Sequence, residues 1–238
     1  MKVVILAAGV GSRLRPETED KPKAMIRVAD KPLVQYQVES VRKAGFKDED
    51  IVVLGGYKME RIQEHFAGTS IQFIHNPEYD TMNNIYSFLL TEQIGDDLLL
   101  INSDDFYDDR LIPVILDASD RTAILVDTHK VLTEESMRVQ MDSDHRLQWI
   151  NKKMALDEGD GEYIGISKLA RPELKVLYEK ARKMIDAGDT QAWYENVYEA
   201  CASEVLIKCV DTEGYSWVEI DDFNDLETAK KLASRVRS

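Results

Sequence analysis

Four residues near the amino terminus are spaced to hold an anion. In residues 3–23, VVILAAGVGSRLRPETEDKPK, an apolar run ends in small residues. Gly9 and Gly11 then precede Arg13, Arg15, Lys21 and Lys23. The two glycines let a ligand approach the backbone and meet successive N–H groups, and Arg13 and Lys23 bring full positive charge to the same oxygens. A second set is acidic. Asp104 and Asp105 follow the apolar run Leu98–Ile101, and Asp221 and Asp222 follow another of the form WVEI. Carboxylates from two distant segments meeting on one hard cation suit Mg2+ chemistry with a nucleoside triphosphate, because that ion keeps waters and phosphate oxygens and takes one or two protein ligands. Asp104 and Asp221 are therefore the metal candidates, although Asp221 or Asp222 also suits the cap of a final helix.

Such residues need a frame that brings loop ends together, and the hydrophobic periodicity describes one. Apolar runs at 3–6, 51–54, 71–75 and 98–101 read as strands. Between them, Val34, Val38 and Val41, then Met59, Ile62 and Phe66, mark helical faces. Alternation of strand and helix predicts a parallel sheet, with ligands at the carboxyl ends of its strands. A helix over 111–116 and a strand over 122–127 continue it. From Met137 the texture changes to a hairpin, an acidic glycine-rich turn and the strand EYIGIS. A long amphipathic helix (172–187), an aromatic helix (191–203), the strand VLIKCV and a terminal helix follow. The expected fold is α/β: a mixed, mostly parallel sheet flanked by helices, with a small acceptor-binding lid. We expect one domain over 1–238, its core at about 1–130 and 205–238 and its lid at about 131–204.

Bulk composition narrows the partners. Asp and Glu number 44 against 30 Lys and Arg, a net charge of −14, which disfavours nucleic acid and anionic membrane surfaces. Positive charge must be concentrated where an anion binds. Cys201 and Cys209 are too few for a zinc site and sit in apolar surroundings, so no disulfide is expected. A core strand beginning at residue 2 and the lack of any ~18-residue apolar run predict a cytoplasmic location. The four histidines have no liganding spacing, and no Ser or Cys arrangement suggests covalent catalysis.

The glycine loop is not a Walker loop, which would end in Gly-Lys-Ser/Thr, nor a dinucleotide fingerprint, which would need a small residue where Leu14 stands. It resembles, at every fixed position, the signature LAAGxGxRLxPxTxxxPK of the nucleotidyltransferases that activate sugar phosphates and phospho-alcohols: Gly9, Gly11, Arg13, Leu14, Pro16, Thr18, Pro22 and Lys23. The resemblance implies a Rossmann-like nucleotidyltransferase fold. It implies nucleotide contacts from Leu6, Ala7, Ala8, Gly9 and Gly11, and catalytic roles for Arg13 and Lys23. Its metal segment W-x-(D/E)-(I/V)-D is matched by Asp221 with Glu219 beside it, and Asp104 matches the carboxylate after the fourth strand. Gly56-Tyr57 is similar to a Gly-Tyr pair beside the base. Asn83 to Ser87 resembles a segment of the phosphocholine and inositol-1-phosphate cytidylyltransferases, which points to Asn84 and Ser87 as base or ribose contacts.

On the acceptor side the same resemblance implies Lys152 and Glu162. Trp193-Tyr194-Glu195 is similar to a Tyr-Trp-Asp segment of phosphocholine enzymes, which implies Trp193 and Tyr194 as aromatic contacts, with the Glu195 carboxylate, to a quaternary ammonium. The other reading of that helix is core or a homodimer face. The expected function is a Mg2+-dependent cytidylyltransferase that joins CMP from CTP to a small phosphorylated or phosphonate acceptor. The alternatives are a sugar-1-phosphate nucleotidyltransferase using UTP or dTTP, and an inactive nucleotide-binding regulatory subunit.

Overall fold

A computed structural model describes residues 1–236. β1 (Lys2–Ala7) leads into the glycine loop, and the short antiparallel pair β2 (Arg27–Val28) and β3 (Lys31–Pro32) turns the chain into α1 (Leu33–Lys43). β4 (Ile51–Gly55), α2 (Met59–His65) and β5 (Gln72–His75) repeat the alternation, and a loop enters α3 (Asn84–Leu90). β6 (Leu98–Asn102) is followed closely by β7 (Asp105–Tyr107), then by α4 (Leu111–Asp117) and β8 (Ala123–Asp127). The expected lid contributes β9 (Arg138–Met141), β10 (Leu147–Asn151), β11 (Gly161–Leu169), α5 (Arg171–Asp186) and α6 (Tyr194–Cys201). β12 (Lys208–Asp211), β13 (Trp217–Glu219) and α7 (Phe223–Val236) close the described chain.

β1 is central because its side chains are buried on both faces. Val4 and Leu6 join the core under α3, α5 and α6, whereas Val3, Ile5 and Ala7 join the core under α1 and α2. It pairs in parallel with β4 and β6, and β4 pairs in parallel with β5. Beyond β6 the sheet becomes antiparallel through β11, which also pairs with β8 and β9. The strand order β10–β9–β11–β6–β1–β4–β5 therefore carries the lid strands in the same sheet as the glycine loop. A third cluster of Leu14, Ile26, Leu33, Phe106, Ile220 and Leu226 seats α7 against the loop. Cys201 and Cys209 are buried and free. Among the described residues no helix is long and apolar enough to cross a membrane.

One glycine in β11 carries a strict steric demand. Gly165 has φ +74°, and a Cβ there would lie 2.4 Å from Asp105 Oδ2 and 2.8 Å from Asn102 Nδ2. The register of β11 on β8 shifts between Tyr163 and Ser167, so the bulge at Gly165 opens room for the Asp105 carboxyl. Gly165→Ala is expected to lower stability by about 3 kcal/mol, the sum of a left-handed backbone cost and overpacking, in urea denaturation. An unchanged midpoint would refute this account.

Candidate active site

Loops leaving β1, β5 and β6 converge with the lid on a cleft of about 560 Å³. Its floor is the glycine loop. Gly11, at φ +68°, begins the short turn Ser12–Leu14, and its missing side chain leaves room for Lys23, whose Cβ would lie 3.0 Å from an added one. The Thr18 hydroxyl donates to Gly11 O at 2.7 Å and the Lys23 amide to Gly9 O at 3.3 Å, so the loop is folded back on its own end. An added Cβ at Gly9 would meet nothing within 4 Å, and that backbone lines the cleft.

Charge is concentrated beside this loop. Lys23 Nζ donates to Asp104 Oδ2 at 3.0 Å and to Asp221 Oδ1 at 2.8 Å, and the Arg13 guanidinium meets Asp221 Oδ2 at 2.8 Å. The β7–β13 ribbon places Glu219 opposite Asp105 and delivers Asp221 just beyond. Burial alone would lower the Lys23 pKa, but Asp104 and Asp221 outweigh it and raise it above the usual lysine range. Burial would raise Asp221, yet Lys23 and Arg13 hold it below the usual carboxylate range. Glu219 is pushed up to about 8, by burial first and then by the charges of Asp104 and Asp221. Burial, and then Asp104 and Glu219, also carry Asp105 well above its ordinary value.

One carboxylate oxygen from each of Asp104, Glu219 and Asp221 falls within a mutual 4.8 Å. Hard oxygen donors in excess of the local cations fit a divalent ion such as Mg2+. Asp222 plays the other part open to the acidic pair. Its Oδ1 accepts the amides of Asn224 and Asp225, and Asp225 accepts those of Asp221 and Asp222, so the α7 entrance is capped and Asp221 is left to the cleft.

Most of the residues expected from the sequence meet in this one cleft: Leu6, Ala8, Gly9, Gly11, Arg13, Lys23, Asn84, Ser87, Asp104, Lys152, Trp193, Glu219 and Asp221. Five do not line it. Ala7 points into the core under α1, because the strand alternation that turns Leu6 toward the cleft turns its neighbour away. Gly56 is pressed against Tyr79, where a Cβ would come within 2.4 Å, and the Tyr57 hydroxyl donates to Glu19 O at 2.7 Å; Tyr79 takes the lining position instead. Glu162 is buried in β11 and pairs with Lys130 at 3.0 Å. Tyr194 is fully buried, its hydroxyl bonded to Asn102 Oδ1 and to the Tyr163 hydroxyl, each at 2.9 Å. The helix expected from 191 starts only at Tyr194, which leaves Trp193 as its cap residue facing the cleft, with Lys152 Nζ 5.7 Å from the ring centroid.

Other lining residues escaped the sequence reading. Asn76, at the end of β5, donates to Ser87 Oγ at 2.9 Å, and Asn84 Oδ1 accepts the Tyr194 amide at 2.8 Å, so the amides that border the cleft are fixed by the frame. Glu195, the carboxylate of the aromatic segment already read from the sequence, is more consequential than its spacing suggests. It is buried, its Oε2 has no hydrogen-bond partner among the described residues, and it borders the cleft beside Trp193. Burial pushes its carboxyl up to about 7 from an ordinary 4.5. Because the folded value exceeds the unfolded one, the proton held by the fold stabilises it at low pH, and that contribution is lost as pH rises from about 4.5 through 7. The loss should approach 3 kcal/mol for the parent and vanish in Glu195→Gln, as read from the difference between their melting temperatures across that range. Parallel curves would contradict it.

A sheet whose parallel half presents a glycine loop, with Lys and Arg in front of paired acids that could chelate a divalent ion, is the frame of an α/β enzyme with its cleft at the carboxyl ends of the strands. Residues 2–147 match the family described as Nucleotidyl transferase, and the chain belongs to that family. It is 28% identical to a CTP:phosphoglutamine cytidylyltransferase of Campylobacter jejuni, over 95% of this chain and 98% of that protein. It is 36% identical to a UTP–glucose-1-phosphate uridylyltransferase of Haloferax volcanii, over 48% of each chain. Among solved structures, the inositol-1-phosphate CTP transferase of T. maritima superposes with a TM-score of 0.82 at 20% identity, covering 100% of this chain and 96% of that one. The family is one of enzymes.

Proposed function

We propose that this cleft transfers a nucleoside monophosphate from a nucleoside triphosphate to a phosphate or phosphonate oxygen of a small acceptor. The acceptor oxygen forms a bond to the α-phosphorus while the bond to the bridging β-phosphate oxygen breaks, and pyrophosphate leaves with the electron pair. A phosphate second pKa of ~6 leaves the attacking oxygen ionised near neutrality, so no general base is needed. The single observation that carries the reading is Lys23, whose ammonium stands between Asp104 and Asp221 beside Arg13 and the glycine loop. From that place it can hold the α-phosphate and the acceptor together as charge gathers between them. Asp104, Glu219 and Asp221 would hold Mg2+, whose chemistry is to neutralise the triphosphate. Gly9 and Gly11 receive the phosphates, and Asn84 and Ser87 face the nucleoside.

For the donor we carry two readings. CTP is supported by the full-length match to a cytidylyltransferase and, in the cleft, by amides and a hydroxyl suited to a pyrimidine edge. UTP or dTTP with a sugar 1-phosphate is supported by the closer but shorter match to a uridylyltransferase. The breadth of donors among relatives favours this wider assignment over a strict commitment to CTP. On the acceptor side, Trp193 with the buried Glu195 suits a group that brings a cation or N–H donors, and Lys152 suits the acceptor phosphate. The test is pyrophosphate release with CTP, UTP, dTTP and ATP against phosphocholine, inositol 1-phosphate, 2-aminoethylphosphonate, phosphoglutamine and glucose 1-phosphate. No release with any pair in the presence of Mg2+ would sink the proposal.

A further inference from the structure

Glu162 does not reach the cleft, but its partner touches a residue that does. Lys130 Nζ lies 3.0 Å from the buried Glu162 Oε2 and 4.3 Å from the ring centroid of Trp217. The edge of the same indole is held independently, its Nε1–H donating to Asp127 Oδ2 at 2.7 Å. Asp127 Oδ1 in turn accepts the amides of His129 and Lys130, at 2.9 and 3.2 Å, which fixes the turn that presents the lysine. Trp217 lines the cleft and stands two residues before Glu219 on β13, so one side of its indole side chain is gripped by the sheet and another borders the ligand space.

Resting on the proposed transfer reaction, we propose that Lys130 is a positioning residue for acceptor recognition: clamped by Glu162, it holds Trp217 as a wall of the cleft. The chemistry requires the full chain of contacts. Glu162 and Asp127 are cross-strand neighbours on β11 and β8, so the two carboxylates that fix the lysine and the indole share one ladder. A cation over the ring face favours a single ring orientation, and burial of the anchoring carboxylate strengthens the pull on that cation. Without the ammonium the indole keeps only its edge bond and can swing about it, and a displaced wall changes the shape of the cleft that Trp217 shares with Lys152.

The test uses Lys130→Met, which keeps the stem and removes the charge, and Lys130→Arg, which restores a cation. In a Trp149→Phe, Trp193→Phe background, where Trp217 is the remaining tryptophan, acrylamide quenching should rise about threefold with methionine and return with arginine. In the native background, using the donor and acceptor that turn over in the panel above, acceptor KM should rise about tenfold while donor KM and kcat stay within about twofold. Unchanged quenching overturns the clamp. Raised quenching with an unmoved acceptor KM, or a parallel loss in donor KM and kcat, overturns its part in recognition. If no pair turns over, the transfer reading itself fails, and the quenching arm still decides whether the clamp exists.

Discussion

Lys23→Ala should reduce pyrophosphate release by on the order of 10³-fold, the scale seen when a preorganised charge is taken from a transition state. The same substitution should tighten the binding of a divalent ion to the nucleotide-free protein. In the structure Lys23 occupies the carboxylates that a metal would use, at 3.0 Å from Asp104 and 2.8 Å from Asp221, so ammonium and ion compete for the same oxygens. Removing the ammonium also leaves Asp104, Asp221 and Glu219 facing one another without it, which should lower the melting temperature in chelator and restore it with Mg2+. Thermal unfolding with and without Mg2+ reads this separately from activity. A variant that kept parental turnover would refute the catalytic assignment. One that lost turnover without gaining metal-dependent stability would refute the competition.

Asp221→Asn should be equally inactive for the opposite reason. Asp221 accepts from both Lys23 and Arg13, at 2.8 Å each, and these are the two cations the triphosphate needs. Replacing the carboxylate by an amide of the same shape removes the negative charge from in front of both, leaving Lys23 paired with Asp104 alone, so the variant should bind metal-free nucleoside triphosphate at least tenfold more tightly than the parent. It should lose the further gain that Mg2+ gives the parent. Equilibrium dialysis of labelled CTP and UTP, with and without Mg2+, separates the two effects. Weaker metal-free binding would show that Asp221 orients the cations more than it withholds them.

The loop and the first half of the sheet were legible because their signals are local. The β-branched run of β1, the apolar spacing of α1 and α2, and the glycine–arginine–lysine string each declare themselves within one window. What the lid strands do was less so, since β9, β10 and β11 read as a hairpin and a strand of their own, while their place in the main sheet is set by the long-range pairing of β11 with β6. α3 is only seven residues long, too short for its periodicity to stand out within the asparagine-rich segment that precedes it. Side-chain direction was the weakest point. Ala7, Glu162 and Tyr194 sit in the right segments but face away from the cleft, and a change of one residue along a strand or helix start is enough to turn a side chain from ligand to core. Gly165 gave no signal of its own, and Glu195 was legible as a carboxylate beside aromatics but not as a buried one, because each matters through what it is buried against.

The unbroken sheet limits how the enzyme can move. The strands that carry the glycine loop and the strands β9 to β11 are joined by the ladder between Ile101–Leu98 of β6 and Ile166–Leu169 of β11, so a swing of one half against the other would break those bonds. Adjustment to substrates must then be made by the segments at the rim: the glycine loop, and the turn around Tyr79 to Asn83 with the stretch before Trp193, the last two joined by the Asn83 amide to Thr190 O and Gln191 Nε2 to Thr81 O. With that ladder kept intact, small-angle scattering should find the radius of gyration unchanged when both substrates are bound.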